Sequence, residues 1–257
     1  MEFSLFKEKV RGNFKLDLNS YKENQLKRRL DSLMVKQKVN LDDYTEFYKL
    51  LAADRRAYME FLDTITINVS EFFRDKPFFD FLETNIIPSL LAERKTLKIW
   101  SAACSSGAEP YSIAMILSDL TPDCDHFIQG SDIDNNVLNA AHEGCYHKDQ
   151  VINVSHRRQI KYFIRKGDLY YLVEKIKKLV TFKHHDLLLS PFDQGFDLIS
   201  CRNVVIYFTR EAQEKLYLKF YRALNPGGVL FIGASEMIFN HREFGYEKLA
   251  SCFYRKK

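Results

Sequence analysis

The chain has 257 residues, of which 46% are hydrophobic and 28% charged, with 10 glycines and 6 prolines. This length lies between one domain and two, and the composition excludes both a disordered chain, which has few apolar residues, and a collagen-like one, which is rich in glycine and proline. The formal net charge of +4, spread over a whole surface, is too small to indicate a nucleic-acid or membrane binder.

No membrane segment or metal site is expected. No apolar run reaches the roughly 18 residues that a membrane helix needs, and the N-terminus has neither the basic start nor the apolar segment of a secretory signal. We therefore expect a cytoplasmic protein. The five cysteines form no CxxC pair, so reduced thiols are expected. His184 and His185 are adjacent, and neighbours on a strand point to opposite faces, which argues against a shared metal ion.

The first sixty-odd residues predict a helical domain, which we assign to residues 1–66. Asn40, which precedes Asp42 and Asp43, is a candidate helix cap. Apolar residues recur in this region at the spacing of one helix face: Leu26, Leu30, Leu33 and Met34, then Tyr44, Phe47, Tyr48 and Leu51, then Tyr58, Phe61, Leu62 and Ile65.

A basic stripe lies on the second predicted helix. Lys22, Arg29 and Lys36 stand seven residues apart and share one helix face. Residues 22–38 contain six cations and two anions, a local excess of +4. Two interpretations stand: a solvated face, which most charge runs are, or a docking face for an acidic partner.

From residue 98 onward, short apolar strands alternate with helices. The alternation predicts an α/β domain with a mostly parallel sheet covered on both faces, over residues 67–257. One stretch of about 147–183 interrupts it, where Gly167 and Asp168 form a turn signal between two β-rich segments. We interpret this stretch as a small antiparallel insertion. Ligands of such sheets bind beyond the carboxyl ends of the strands.

The loop after the first strand has the features of a cofactor site. Residues 102–110 are mostly small, and Pro110 suits the first turn of the following helix. With one glycine, the loop alone is equally consistent with a bare tight turn. Asp132, about 20 residues further on at the end of the next strand, suits the ribose hydroxyls of an adenosine cofactor. Asp134 is the alternative for this role, but it also suits the cap of the next helix.

Four separated motifs resemble those of the chemotaxis receptor glutamate methyltransferases. The segment IWSAACSSGAEPYS at 99–112 is followed by SDID at 131–134 and CRNVVIYF at 201–208, and TINVSEFFR at 66–74 is similar to the motif that joins the helical and catalytic domains of that family. The resemblance runs in register over almost the whole chain. It implies a Rossmann-like methyltransferase domain that uses S-adenosylmethionine to methylate glutamate side chains on the cytoplasmic helical domain of chemoreceptors.

The resemblance also implies a set of cofactor-binding positions. Arg74 and Tyr207 would lie nearest the transferred methyl group. Asn68, Ser70 and again Arg74 would line the methionine end of the cofactor, and Glu109 would bind its ammonium group. Asp132 would hold the ribose. Asp186 and Leu187 would meet the adenine, and Asn203 and Val204 would close the pocket.

This reaction needs positioning more than proton transfer. A methyl sulfonium is an activated electrophile, and a glutamate with a pKa near 4.3 is already ionised at neutral pH. Arg74 is predicted to orient the carboxylate through its forked donors, and Tyr207 to add a hydroxyl contact. Taken outside its motif, Tyr207 has a second interpretation as a core aromatic.

The chain departs from the family's pattern at two places. The family usually has a second acid where this chain has Ala108, a loss that would weaken cofactor binding if that acid contributes to it. Glu109 is kept, so we expect binding to survive. The turn at residues 166–168 is shorter than in members that tether to a receptor's C-terminal peptide, so we expect no tight tether.

We expect a monomer whose basic stripe docks on an acidic receptor. Two other functions remain open. A nucleic-acid methyltransferase would use the same cofactor pocket and basic stripe. A non-catalytic cofactor-binding protein would account for Ala108, but Arg74, Tyr207 and the other motif residues are intact.

Overall fold

The computed structural model describes residues 1–257. Its first part is a bundle of four helices, α1 (Phe3–Phe14), α2 (Glu23–Lys36), α3 (Tyr44–Ala53) and α4 (Arg55–Thr66), with a 3-10 turn at Leu18–Ser20. The predicted all-α N-terminal region is confirmed. The predicted cap Asn40 is wrong, because the chain makes a turn with Asp42 at φ +65° and α3 begins only after Asp43, whose side chain accepts from the Glu46 N–H at 3.0 Å.

One apolar cluster of 16 buried residues fills the bundle. The Phe6 ring of α1 meets the rings of Phe47 and Phe61, with centroids 5.7 and 6.5 Å apart. The buried side chains of α2 are Leu26, Leu30, Leu33 and Met34. Since this helix has a single apolar face, its basic side chains lie outside the core.

The rest of the chain alternates strands and helices. A helical lead-in comprises α5 (Lys76–Phe81), a π-helical turn (Leu82–Ile86) and α6 (Ile87–Glu93). The strands are β1 (Lys98–Ala102), β2 (Phe127–Asp132), β3 (Cys145–His147), β4 (Phe163–Lys166), β5 (Leu169–Leu172), β6 (Val180–His184), β7 (Phe196–Cys201), β8 (Leu224–Ile232), β9 (Tyr246–Ala250) and β10 (Phe253–Lys256). The helices among them are α7 (Ala108–Leu120), α8 (Asn135–Glu143), α9 (His156–Tyr162), α10 (Glu174–Lys177) and α11 (Arg210–Ala223).

Seven strands form the central sheet in the order β6-β2-β1-β7-β8-β10-β9. The first five are parallel, and β10 is antiparallel to both of its neighbours. A second apolar cluster of 50 buried residues packs on this sheet. The predicted α/β fold with a mostly parallel sheet is confirmed, and the sheet directs the carboxyl ends of β1, β2, β6 and β7 to one edge.

The small antiparallel insertion is also confirmed, with different bounds. Its three strands are arranged β3-β5-β4, with the β4–β5 turn at Gly167 and Asp168. The expected range of about 147–183 is shifted, since Cys145 already pairs with Tyr171 and residues 180–184 run parallel to β2 in the central sheet. Strand pairing, which joins distant residues, decides these bounds.

A short strap, residues 20–22, joins the helical bundle to the catalytic part. The Lys22 N–H donates to the Tyr207 carbonyl at 2.9 Å, and the Thr209 N–H donates to the Ser20 carbonyl at 2.8 Å. Between these bonds Tyr21 and Phe208 form an antiparallel bridge. The strap thereby places α2 beside the loop that carries Tyr207. None of the helices has the length and apolar character that crossing a membrane requires.

Candidate active site

A cavity of about 230 Å³ opens where the carboxyl ends of β1, β2, β6 and β7 meet. A smaller cavity adjoins it and shares Arg74, Ser105 and Arg202 with it. Eight predicted site residues line the larger cavity: Asn68, Arg74, Asp132, Asp186, Leu187, Asn203, Val204 and Tyr207. Ser70 and Glu109 line the smaller one. The structure therefore brings all the predicted catalytic and cofactor-binding residues to one place.

The loop after β1 is held in an unusual conformation. Ala103, Ser105 and Gly107 all have positive φ, of +57°, +50° and +83°. At Gly107 a Cβ atom would come within 2.8 Å of the Ala141 Cβ, so this position needs glycine. The Ser105 N–H donates to the Asp132 carboxylate at 2.8 Å. The loop is thus shaped by contacts with β2 and α8 rather than by glycines alone.

Asp132 and Asp134 have different roles in the loop after β2. Asp132 is buried, and its two carboxylate oxygens accept the N–H groups of Ser105 and Asp134 at 2.8 and 3.1 Å. Burial raises the pKa of the Asp132 carboxyl despite these bonds. Asp134 caps α8 by accepting the Asn136 N–H at 2.8 Å, which confirms the capping interpretation. Of the two carboxylates, Asp132 is the one that lines the cavity, and its ribose role stays a prediction.

Asn68 makes contacts that the sequence did not indicate. Its side-chain amide donates to Asp134 at 2.9 Å and to Asp63 at 3.3 Å. Partial burial and the neighbouring Asp134 carboxylate raise the pKa of Asp63. Asn68 therefore ties the segment after α4 to the cap of α8, while its residue still borders the cavity.

Asp186 follows a residue whose N–H donates to the Asp132 carbonyl at 2.8 Å, so it lies beside Asp132, and it has a free acceptor. Its Oδ1 accepts the Leu188 N–H at 2.7 Å, whereas its Oδ2 is buried without a hydrogen-bond partner. Burial raises the pKa of this carboxyl. Neighbouring His185 is also buried, and desolvation, with the charges of Lys183 and Lys219, lowers its pKa to about 4. A buried unpartnered acceptor suits a donor such as the exocyclic amine of adenine.

Glu109 is already paired with a buried arginine. Its Oε2 lies 3.3 Å from Arg202 Nη1, and its Oε1 accepts the Ser101 hydroxyl at 2.7 Å. Arg202, whose side chain is 2% exposed, also donates to the Asp75 carboxylate at 2.7 Å and to the Arg74 carbonyl at 2.9 Å. Arg202 stands inside a recognised motif, but sequence reasoning gave it no role.

Glu236 is the second residue that sequence reasoning missed. Its buried carboxylate accepts the N–H groups of Gly233 at 2.6 Å, Asn203 at 3.2 Å, Val204 at 3.1 Å and Val205 at 2.9 Å. These bonds hold the turn after β7, in which Asn203 has φ +60°. The sequence signal that could have found it is its position, three residues after Gly233 at the end of an apolar strand.

Arg74 and Tyr207 both line the larger cavity and are half-buried. Arg74 Nη1 donates to the Val69 carbonyl at 3.2 Å, which leaves most of its donors free. The Tyr207 ring lies beneath Arg29, whose guanidinium carbon is 4.4 Å from the ring centroid. A forked donor and a phenol thus border the same cavity.

The basic stripe on α2 is not uniform. Lys22 and Lys36 are exposed, and Lys36 pairs with Glu60 at 3.1 Å. Arg29 is instead half-buried, since it stacks on Tyr207 and donates to the Ile65 carbonyl at 3.4 Å. The stripe therefore combines two outward cations with one that belongs to the cavity rim.

Two family models match the chain. Residues 68–252 match the "CheR methyltransferase, SAM binding domain" and residues 1–66 the "CheR methyltransferase, all-alpha domain". The chain belongs to the CheR methyltransferase family. This CheR family member is an enzyme that uses S-adenosylmethionine, as the family's name for its larger domain states.

Curated relatives of this CheR family member agree. It is 42% identical over 256 residues to the chemotaxis protein methyltransferase of Listeria monocytogenes, covering 99% of this chain and 97% of that protein. With the chemotaxis protein methyltransferase of Borreliella burgdorferi it shares 37% identity, covering 92% and 88%. For that of Escherichia coli the identity is 34%, covering 86% and 77%. The resemblance predicted from the four motifs is confirmed.

The residues around the two cavities suit the cofactor of the CheR family. Asp186 Oδ2 offers a buried acceptor without a partner, and the backbone of the loop at 103–107 approaches the cavity with small side chains. No group of three or more histidine, cysteine or acidic residues in the chain has the arrangement of a metal site. The free Asp186 acceptor and the small side chains of the loop suit an organic cofactor that carries amine and hydroxyl donors.

Proposed function

We propose that the chain transfers the methyl group of S-adenosylmethionine to glutamate carboxylates of chemoreceptors, giving glutamate methyl esters and S-adenosylhomocysteine. The observation that carries this proposal is that Arg74 and Tyr207 line the same cavity as Asp132 and Asp186, the residues expected at the ribose and the adenine. The relatives named chemotaxis protein methyltransferases support the substrate class.

The proposed mechanism depends on orientation. When bound, the sulfonium supplies an activated methyl group, and the substrate carboxylate is ionised at neutral pH. Arg74 uses its free N–H groups to hold that carboxylate, and the Tyr207 hydroxyl fixes its second oxygen. No residue has to remove a proton. Alignment of the reacting atoms contributes several kcal/mol of barrier lowering, as effective-molarity data indicate, with a ceiling of about 7–11 kcal/mol.

In the same proposal Asn68, Ser70 and Glu109 surround the methionine part of the cofactor. Glu109 meets the ammonium group while it shares its charge with Arg202, and Ala108, which is fully buried, leaves Glu109 as the one acid at this point of the loop. Asp186 and Leu187 meet the adenine, and Asn203 and Val204 close the pocket.

Residues 1–66 form the proposed receptor-docking domain, and residues 67–257 the catalytic domain. Exposed Lys22 and Lys36 supply the charge that meets an acidic receptor, whereas Arg29 adds its charge at the cavity rim. The short turn at Gly167 and Asp168 is the basis for proposing no tight tether to a receptor's C-terminal peptide. We further propose that the enzyme acts as a cytoplasmic monomer.

Methylation of membranes that contain chemoreceptors tests the proposal. With methyl-labelled S-adenosylmethionine, we expect label in the receptors that mild alkali releases as methanol, because carboxyl methyl esters are hydrolysed under those conditions. Alkali-stable label in added DNA or RNA would instead establish the nucleic-acid methyltransferase. Binding of S-adenosylhomocysteine without any transfer would establish the non-catalytic alternative.

Two variants test the catalytic assignments in the same assay. Arg74→Ala and Tyr207→Phe should each lower kcat by tenfold or more, because each removes one charge-assisted hydrogen bond to the substrate carboxylate and a bond of that kind contributes about that factor to the rate. Arg222→Ala, which removes an exposed arginine of α11, is the matched control and should keep wild-type turnover. Wild-type turnover of both active-site variants at saturating substrate would contradict the assignment.

A further inference from the structure

Tyr21 occupies the contact between the two parts of the chain. It packs against both apolar clusters, that of the bundle and that of the central sheet. Its ring meets Phe208 edge-on, with centroids 5.0 Å apart. It is also the one residue before Ile65 that lines the larger cavity. A residue of the helical domain therefore forms part of the cofactor cavity.

Tyr21 lines the same cavity as Asp132 and Asp186, the two carboxylates assigned to the adenosine. Burial, and then the charges of Asp186 and Asp132, raises the pKa of this phenol well above its ordinary value. The phenol therefore stays protonated at all relevant pH values and keeps an O–H donor. Asp132 ends β2 and Asp186 follows β6, the neighbouring strand, so Tyr21 shares one cavity with both the proposed ribose and adenine positions.

The strap fixes this position before any ligand arrives. The two backbone bonds between residues 20–22 and residues 207–209 flank Tyr21 on both sides. A side chain held in this way loses little conformational entropy on binding, so a contact with a ligand retains most of its value.

We propose that Tyr21 is a further cofactor-binding residue whose hydroxyl contacts the adenosine part of the cofactor. The inference rests on the proposed placement of adenosine between Asp132 and Asp186. It gives the helical domain a part in cofactor binding in addition to docking, and it makes the strap the element that couples the two.

Calorimetric titration of S-adenosylhomocysteine into the full chain tests this inference. Tyr21→Phe keeps the ring contact with Phe208 and removes only the hydroxyl, and we expect roughly two- to tenfold weaker binding, the size of one neutral hydrogen bond. Tyr44→Phe is the matched control, because it removes a buried hydroxyl without a hydrogen-bond partner from the bundle core. Wild-type affinity of Tyr21→Phe would overturn the inference.

Two further measurements separate the inference from its basis. Adenosine alone should lose affinity for Tyr21→Phe by the same factor, and an effect confined to S-adenosylhomocysteine would overturn the contact with adenosine. Asp132→Asn should weaken the binding of both adenosine and S-adenosylhomocysteine. If Asp132→Asn bound both normally, the placement of the cofactor would be wrong; if Asp132→Asn weakened binding and Tyr21→Phe did not, only the role of Tyr21 would be wrong.

Discussion

Buried polar side chains hold the loops that form the cavity rim in place. Asp132 and Glu236 each accept backbone N–H groups from loops at the sheet edge, and Arg202 links Glu109 to the segment that carries Arg74. Hydrogen bonds to charged acceptors are about twice as strong as neutral ones. The loop positions, and hence the site geometry, therefore depend on buried charges that do not themselves react.

Replacement of Glu236 by glutamine tests this dependence. Glutamine has nearly the same shape, but only one of its two polar atoms can accept a hydrogen bond. Its NH2 group would face backbone N–H donors, so the turn at Asn203 and Val204 should lose part of its support. We expect a free energy of unfolding lower by about 2 kcal/mol and roughly tenfold weaker binding of S-adenosylhomocysteine. Urea unfolding and calorimetry measure the two effects.

Glu243→Gln is the control for Glu236→Gln, since Glu243 is exposed and makes no hydrogen bond or ion pair. It should change neither quantity. Unchanged stability and affinity in Glu236→Gln would mean that the turn is held by its other contacts.

His185 makes stability depend on pH. Burial lowers its pKa to about 4, below the roughly 6.5 of an unfolded chain. As the pH falls from 6.5 towards 4, the unfolded chain takes up this proton and the folded protein does not, so stability is lost in that window, by up to about 3 kcal/mol. His185→Gln should reduce the fall in the free energy of unfolding between pH 7 and pH 5.

The adjacent His184 provides the comparison for His185→Gln. It is exposed, and His184→Gln should keep the wild-type pH dependence. The same pH dependence in the wild type and both variants would show that His185 does not contribute to it.

At the scale of elements, the insertion is attached to the catalytic core through α9. Arg158 donates to Glu83 of the π-helical turn at 2.8 and 3.0 Å and to Asp119 of α7 at 2.9 Å, with its side chain 13% exposed. The Tyr162 hydroxyl donates to the same Asp119 at 2.6 Å. One arginine thereby joins three elements that are far apart in the sequence.

Arg158→Ala should lower the free energy of unfolding by about 3 kcal/mol, because the partly buried Glu83 loses its ion-pair partner and Asp119 keeps only Lys161 and Tyr162. Arg158→Lys keeps the charge but not the forked geometry, and should lose about half as much. Urea unfolding measures both. Arg157→Ala, at the exposed neighbour, should be neutral; equal effects of the Arg157 and Arg158 variants would show that the ion pairs do not anchor the insertion.

At the scale of the whole molecule, α2 carries the excess positive charge of the chain and also contacts the catalytic part. The local excess of +4 within residues 22–38 equals the net charge of the chain. Arg29 of this helix touches Tyr207, and the strap that precedes the helix is bonded to the same loop. A receptor bound to α2 would therefore be held at a fixed position relative to the cavity.

Charge reversal on α2 should separate docking from catalysis. Lys22→Glu with Lys36→Glu should raise the KM for receptor by about tenfold and leave the affinity for S-adenosylhomocysteine within twofold, because both side chains are exposed. Arg29→Ala should also lower kcat, since it removes the cation from the Tyr207 ring. Steady-state methylation and calorimetry measure these effects.

The control for this pair is the double reversal Lys215→Glu with Arg222→Glu on α11, which changes the net charge equally at exposed positions. It should leave the KM for receptor unchanged. Equal increases in KM for the two double variants would show that net charge, and not the face of α2, controls docking.

Local patterns in the sequence predicted most of the fold. The helical spacing of apolar residues predicted the bundle, and the alternation of strands and helices predicted the parallel sheet, because both periodicities are properties of neighbouring residues. The turn at Gly167 and Asp168 was predicted for the same reason. The bounds of the insertion were not, because Val180 pairs with Ile128 across the sheet and its neighbours in the sequence do not reveal this.

The sequence by itself determined the family and the set of residues that gather at the cavity, because the motifs stand at the ends of strands and parallel strands end at one edge. Only the tertiary structure decided how those residues are held. Arg202 meets Glu109 across 93 positions and Asn68 meets Asp134 across 66, while Tyr21 reaches the cavity from another domain. Such contacts follow from how distant segments pack, which local periodicity does not encode.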